Sequence, residues 1–149
     1  MSAHRAAYPT GHRRRTAGFT LIELLVAIAI LGIILGVAIP TYNRYVLESG
    51  RADAKAILLQ TAQALERCYT RYSAYNDGDC PVQQGDTLDS ENDKYELTVT
   101  TVSATDFTLT AAPQDRQADD TTCGSLTLTA NGTRGAAGGT NAAKVEECW

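Results

Sequence analysis

The spacing of apolar positions along this chain changes twice. Residues 19–39 are apolar on almost every side of a helix, and their one charge is Glu23. Beyond Pro40, Leu47, Ala54, Leu58, Ala62, Leu65, Tyr69 and Tyr72 recur at three-, four- and seven-residue steps and mark a single face. Gln60, Gln63, Arg67 and Arg71 mark a polar stripe elsewhere on that helix. One long helix is therefore predicted, hydrophobic in its first half and amphipathic in its second. The turn formers of SAYNDGDCP (residues 73–81) end it. Gly32, Gly36 and Pro40 weaken its middle, since a glycine costs about 1 kcal/mol relative to alanine and an interior proline about 3 kcal/mol.

A polar connection is expected to run to about Asp93, where the period becomes two. In KYELTVTTV, Tyr95, Leu97, Val99 and Thr101 fall on one side; in DFTLTA, Phe107, Leu109 and Ala111 do. Residues 103–105 are short enough for a hairpin turn between the two. SLTLTA supplies a third strand through Leu126 and Leu128, NGTRGAAGGTN reads as a flexible connection, and AKVEECW is expected to add a short edge strand. Three or four antiparallel strands with one apolar face need a cover, and the amphipathic helix face provides it. The fold class is α+β.

Charge adds a topology. Arg5, Arg13, Arg14 and Arg15 precede the apolar run with no acid among them. Its 21 residues would reach about 31 Å as a helix, close to the hydrocarbon thickness of a bilayer. The positive-inside rule keeps residues 1–18 in the cytoplasm and sends the rest out. The run leads into Pro40 and more helix rather than into an A-x-A-like site, so the anchor is expected to stay after processing. Three regions follow: a leader over 1–18, an apolar helix over 19–40, and an exported body over 41–149 whose amphipathic helix is 41–72. Without its leader the chain holds 9 Lys and Arg against 17 Asp and Glu, a net of −8. That balance argues against a general electrostatic grip on nucleic acid and leaves a local basic patch as the only route to one.

Cys68, Cys80, Cys123 and Cys148 all fall on the exported side, an even number in an oxidising compartment and with no C-x-x-C spacing. Of three connectivities, Cys68–Cys80 with Cys123–Cys148 is favoured because each closes a local loop, contributing about 3 and 3.5 kcal/mol by chain entropy.

Candidate chemistry is sparse. Both histidines, His4 and His12, precede the span, so the exported body lacks the base of Ser-His-Asp or Cys-His catalysis and the usual metal imidazoles. Asp119–Asp120 and Asp77/Asp79 are adjacent acids in polar loops, expected to be solvated. NDGDC and DSEND lack the full calcium-loop pattern, and Asn131–Gly132–Thr133 fits a sequon but reads first as a turn. Tyr69, Tyr72 and Tyr75 are expected to cap the helix–sheet core. No catalytic residue, cofactor or metal site is expected, and no enzyme.

The string RRRTAGFTLIELLVAIAILGIILGVAIPTYNRYV resembles the class III signal and N-terminal helix of type IV pilins. ERCYTRYSAY, FTLTAAPQ, ADDTTCGSLTLTANGTRGAAG and the final CW resemble PilE-type minor pilins. The resemblance implies that a prepilin peptidase cuts between Gly18 and Phe19 and methylates the new Phe19 amine. It implies that an inner-membrane assembly platform lifts the subunit into a pilus filament for twitching motility, adhesion or DNA uptake. It also implies helix unwinding between Gly32 and Pro40, through Gly36, on assembly. Glu23 then has a purpose, because it lies four residues from a positive amine on Phe19. An incoming amine placed against a neighbour's Glu23 in an apolar core would set axial register, as a mismatch strands both charges. A pseudopilin of a type II secretion system is the competing structural reading.

Overall fold

The computed structural model describes residues 18–149; residues 1–17, with Arg5, Arg13, Arg14, Arg15 and both histidines, lie outside the described residues. Two compact units divide between Ile39 and Pro40. Helix α1 (Leu21–Tyr72) contains Pro40 and closes at Ser73, whose left-handed backbone (φ 59) lets its N–H donate to the Tyr69 carbonyl at 2.7 Å. Of the face that the spacing predicts, Ala54, Leu58 and Leu65 are buried, Leu47, Ala62 and Tyr72 are half-buried and Tyr69 is exposed, while Thr61 joins the buried residues; the polar stripe of Gln60, Gln63, Arg67 and Arg71 is exposed.

Five strands follow rather than the three or four expected: β1 (Thr87–Asp89), β2 (Tyr95–Val102), β3 (Phe107–Pro113), β4 (Leu126–Thr129) and β5 (Arg134–Ala136). They form an antiparallel meander in chain order. β1 lies inside the stretch read as a polar connection and β5 inside the stretch read as flexible. Each has three residues, too few to show a period, and β1 is exposed throughout. Backbone pairing with β2 and β4 makes them strands, and no side-chain pattern announces it.

The central register brings the apolar residues into rows, Leu97 opposite Ala111, Val99 opposite Leu109, and these beside Leu126 and Leu128. With Tyr95 and Phe107 they make the inner face that packs on Ala54, Leu58 and Leu65. The alternation through Thr101 does not hold. The register shifts between Val99 and Thr101, so Thr101 is exposed and Val102 turns inward opposite Phe107. A bulge adds one residue and reverses the sense of every position after it. Threonines 98, 110 and 127 line up across the outer face, where their β-branched, polar side chains suit a strand facing water.

AKVEECW is not an edge strand. It forms helix α2 (Ala142–Cys148), because Asn141 caps its start by accepting from the N–H groups of Ala143 (3.1 Å) and Lys144 (3.3 Å). The disulfides join Cys68 to Cys80 and Cys123 to Cys148, each with Cα atoms 5.6 Å apart. The second fixes α2 against the start of β4, and Trp149 completes the joint. Its indole N–H donates to the Gly135 carbonyl at 2.9 Å, and the Arg134 guanidinium lies 5.1 Å from its ring centre.

Candidate assembly surface

Thr20 sits at the start of α1, where four backbone N–H groups lack helical partners. Its hydroxyl accepts from the Glu23 N–H at 3.2 Å and its carbonyl accepts from the Leu24 N–H at 3.2 Å. Thr20 and Glu23 thus occupy the two key positions of a capping box, T-x-x-E, a signal present in the sequence but overlooked in its reading. Glu23 lies in the first turn, where the helix dipole favours a carboxylate. Its charge is therefore tolerable there before any partner arrives, which a mid-helix position would not allow.

Gly18 and Phe19 precede the cap outside any helix or strand, with Phe19 87% exposed. All fourteen Phe, Leu, Ile and Val side chains of residues 19–39 are exposed as well. At about 1.5 kcal/mol or more each, leaving them in water would cost tens of kcal/mol. The segment is long and apolar enough to cross a bilayer. Gly32 and Gly36 stand on this surface with open space where a Cβ would be, and Pro40 interrupts the hydrogen-bond ladder from within the helix.

In the second unit Asp79 and Asp119 are exposed as expected, and Asp120 is not. Asp120 is not a solvated loop acid: it is 3% exposed and paired with Arg51, whose Nε and Nη2 donate to its two oxygens at 2.7 and 3.0 Å. The Asp120 hydrogen bond holds the Arg51 pKa above its ordinary value against the opposing effect of burial. Asp77 builds a turn, accepting from the Asp79 N–H at 3.0 Å. Asp53 accepts from Ser90 Oγ, from the Asn92 N–H and from Asn92 Nδ2. Burial pushes its pKa up, but the Asn92 and Ser90 hydrogen bonds, with Lys94 nearby, outweigh that and hold it below the usual range. The sequon residue Asn131 accepts from Thr129 Oγ1 and the Thr133 N–H in a tight turn with Gly132 at φ 81. Among the described residues no cluster of His, Cys, Asp and Glu is placed to hold a metal ion.

Of the three tyrosines, Tyr75 caps the core most fully. It stacks on Tyr69 (4.6 Å between centres), meets Phe107 edge-on (5.0 Å), and donates its hydroxyl to Glu66 at 2.9 Å. Burial and then the Glu66 hydrogen bond push its pKa up to about 12. Tyr72 is half-buried, with Arg71 above its ring. Arg51 and Gln117 carry much of the polar structure here, through partners 69 and 70 residues away that no local spacing announces.

Residues 40–127 match the family model described as type IV minor pilin ComP, DNA uptake sequence receptor, and residues 13–39 match the prokaryotic N-terminal methylation motif. The chain is a type IV pilin of the minor-pilin ComP family. It is similar to the type IV major fimbrial protein FimA of Dichelobacter nodosus, 34% identical over 95 residues, which cover 59% of this chain and 52% of that protein. The type IV major pilin protein PilA of Myxococcus xanthus is 35% identical over 63 residues, covering 42% of this chain and 29% of PilA. The match thus spans about half of that FimA and under a third of PilA. The crystal structure of the non-core minor pilin PilV of Neisseria meningitidis superposes with a TM-score of 0.49 at 28% identity, covering 65% of this pilin and 91% of that one. Pilins are structural subunits that assemble with other pilin subunits, and the exposed apolar helix with its methylation motif fits a membrane-anchored pilin that becomes part of a surface filament.

Proposed function

We propose that this pilin is a minor subunit of a bacterial type IV pilus, held N-in and C-out in the inner membrane before assembly. A prepilin peptidase cleaves between Gly18 and Phe19 and methylates Phe19, and the inner-membrane platform then moves the subunit into the filament. One observation carries the reading: fourteen exposed apolar side chains surround a single carboxylate, Glu23, four residues after Phe19. Other pilin helices can replace lipid around those side chains, and Glu23 can receive a neighbour's Phe19 amine. Gly32, Gly36 and Pro40 supply the segment that unwinds as the subunit leaves the bilayer. The matches to fimbrial and minor-pilin proteins favour a pilus over a type II secretion pseudopilus.

Glu23→Ala should be cleaved and inserted yet enter sheared filaments poorly, and normal incorporation would remove the register role. Replacing Gly18 by a bulky residue should leave full-length precursor in the membrane, whereas a mature-sized band would contradict the cleavage position. Among uses of such a pilus, the matched family's description supports DNA uptake over twitching motility or adhesion. Transformation frequency of a deletion strain, with salt-dependent duplex binding by the purified chain, tests that use.

A further inference from the structure

The surroundings of α1 change within little more than one turn after Pro40. Val46 and Leu47 are half-buried, and the Leu47 carbonyl already accepts from Gln117. Residues 41–45, just before them, are all exposed, with Tyr42 and Tyr45 at 64% and 66%. Successive residues turn about 100° around a helix. Tyr42, Asn43, Arg44 and Tyr45 therefore point in four directions and close a full circle. Each carries a polar group: two phenols, an amide and a guanidinium. Asn43 accepts from Arg116 Nη2 at 2.7 Å, which brings a second guanidinium to the ring. Arg44 meets Glu48 at 3.7 Å with its side chain 76% exposed, a contact that leaves most of its donors to the surroundings.

This collar is not part of the core, since none of its side chains is buried. Nor does it suit hydrocarbon, where each polar group would go unsatisfied. Its height matches a third environment. Five residues of helix rise about 7.5 Å. A bilayer about 40–45 Å thick around a hydrocarbon layer of about 30 Å leaves a headgroup layer of about 5–7.5 Å on each side. Tyrosine is enriched in that layer, where the ring meets apolar atoms and the hydroxyl meets water. Arginine there can donate to lipid phosphates.

We propose that residues 41–45, with Arg116, form a lipid-binding collar in the headgroup layer of the leaflet nearer the exported body. Tyr42 and Tyr45 lie at the glycerol level, and Arg44 and Arg116 donate to lipid phosphates. The proposal rests on the membrane-anchored reading above and adds a depth to it: hydrocarbon ends beside Pro40, and the half-buried positions from Val46 begin on the water side. Such a collar opposes movement in both directions. Sinking would carry Asn43 and Arg44 into hydrocarbon, and rising would pull both rings into water along with the apolar side chains before Pro40. The subunit is thereby held at one depth until assembly draws it out.

Fluorescence of the full-length chain in vesicles of phosphatidylethanolamine and phosphatidylglycerol tests this. Tyr42→Trp and Tyr45→Trp are each made with Trp149→Phe, and repeated with Trp149 kept and its signal subtracted. Nitroxide lipids labelled near the glycerol should quench both new rings about twofold or more better than lipids labelled near the acyl-chain end. Rings quenched by aqueous iodide and by neither lipid would overturn the collar, as would stronger quenching by the deep label. Leu31→Trp should be quenched best by the deep label, and a ring there untouched by either lipid would overturn the membrane reading itself. For the cations, solid-state NMR with carbon–phosphorus recoupling, in buffer without inorganic phosphate, should detect guanidinium carbon beside lipid phosphorus. That signal should fall in Arg44→Gln with Arg116→Gln, and an unchanged signal would overturn the phosphate contacts.

Discussion

Arg51 on α1 and Asp120, 69 residues later, form a two-pronged ion pair with side chains only 11% and 2% exposed. Asp120 Oδ1 also accepts from the N–H of Cys123 at 3.3 Å, so the same carboxylate joins the helix to the turn before β4 that carries the second disulfide. Breaking such a pair from one side leaves a buried charge without its partner. Asp120→Ala should therefore destabilise the detergent-solubilised chain by about 3–5 kcal/mol in denaturant unfolding. Arg51→Met combined with Asp120→Leu should cost clearly less than the sum of the two single changes. Additive losses would mean that the two side chains are not coupled.

Gly50 and Gln117 form a second junction between α1 and the polar turn before β4. A Cβ on Gly50 would collide with the Gln117 side chain. Gln117 is 4% exposed, and its Nε2 donates to the Leu47 carbonyl at 2.9 Å and to the Tyr95 hydroxyl at 3.1 Å. Gly50→Ala gains about 1 kcal/mol of helix propensity. Displacing Gln117 forfeits two buried hydrogen bonds at about 1–3 kcal/mol for each group left unsatisfied, so the net effect should be a lower melting temperature. In a Gln117→Ala background the same glycine substitution should become neutral or stabilising, and a persistent loss there would place the cost elsewhere.

The hydrogen bonds on Asp53 predict an acid limb. Its carboxylate is held below the ordinary carboxylate value, so the unfolded chain takes up this proton first as pH falls. Stability from the Asp53 site is full above about pH 4 and is lost as pH drops through the lower folded value. Asp53→Asn should flatten that limb of a stability–pH curve. At the other extreme, Tyr75 is pushed up to about 12 from 10.0, and its contribution is present below pH 10 and lost between these values. Tyr75→Phe should remove that alkaline loss, and an unchanged curve would show that another group sets it.

Closing the 25-residue separation between Cys123 and Cys148 should contribute about 3.5 kcal/mol by chain entropy. Cys148→Ser should free α2 and with it Trp149. Amide exchange over residues 142–149 should then rise well above that over β2 and β3. A non-reduced digest should yield the peptides 68–80 and 123–148, and a linked Cys80–Cys123 peptide would contradict the fold.

Much of this pilin was legible before any coordinates. The apolar run is self-evident because a helix without a polar face has no solution in water, and Glu23 stands out because nothing else in that run is charged. The face of α1, the inward residues of β3 and β4, and both disulfides follow from periods of 3.6 and 2 and from short loops, all local quantities. Thr20 with Glu23 was equally readable, since a capping box spans four residues. β1 and β5 were not, because three residues carry no period. Nor was the turn of Val102 into the core, because a single bulge residue inverts the alternation without any mark in composition.

The sequence by itself determined which segments are apolar, where each element could start and stop, and where the N-terminal methylation motif lies, because those depend on neighbours along the chain. Only the tertiary structure decided that Asp120 is buried against Arg51 and that Gln117 occupies the space Gly50 leaves. Each of these joins residues tens of positions apart. Burial and charge pairing depend on distance in space, which the order of residues does not state.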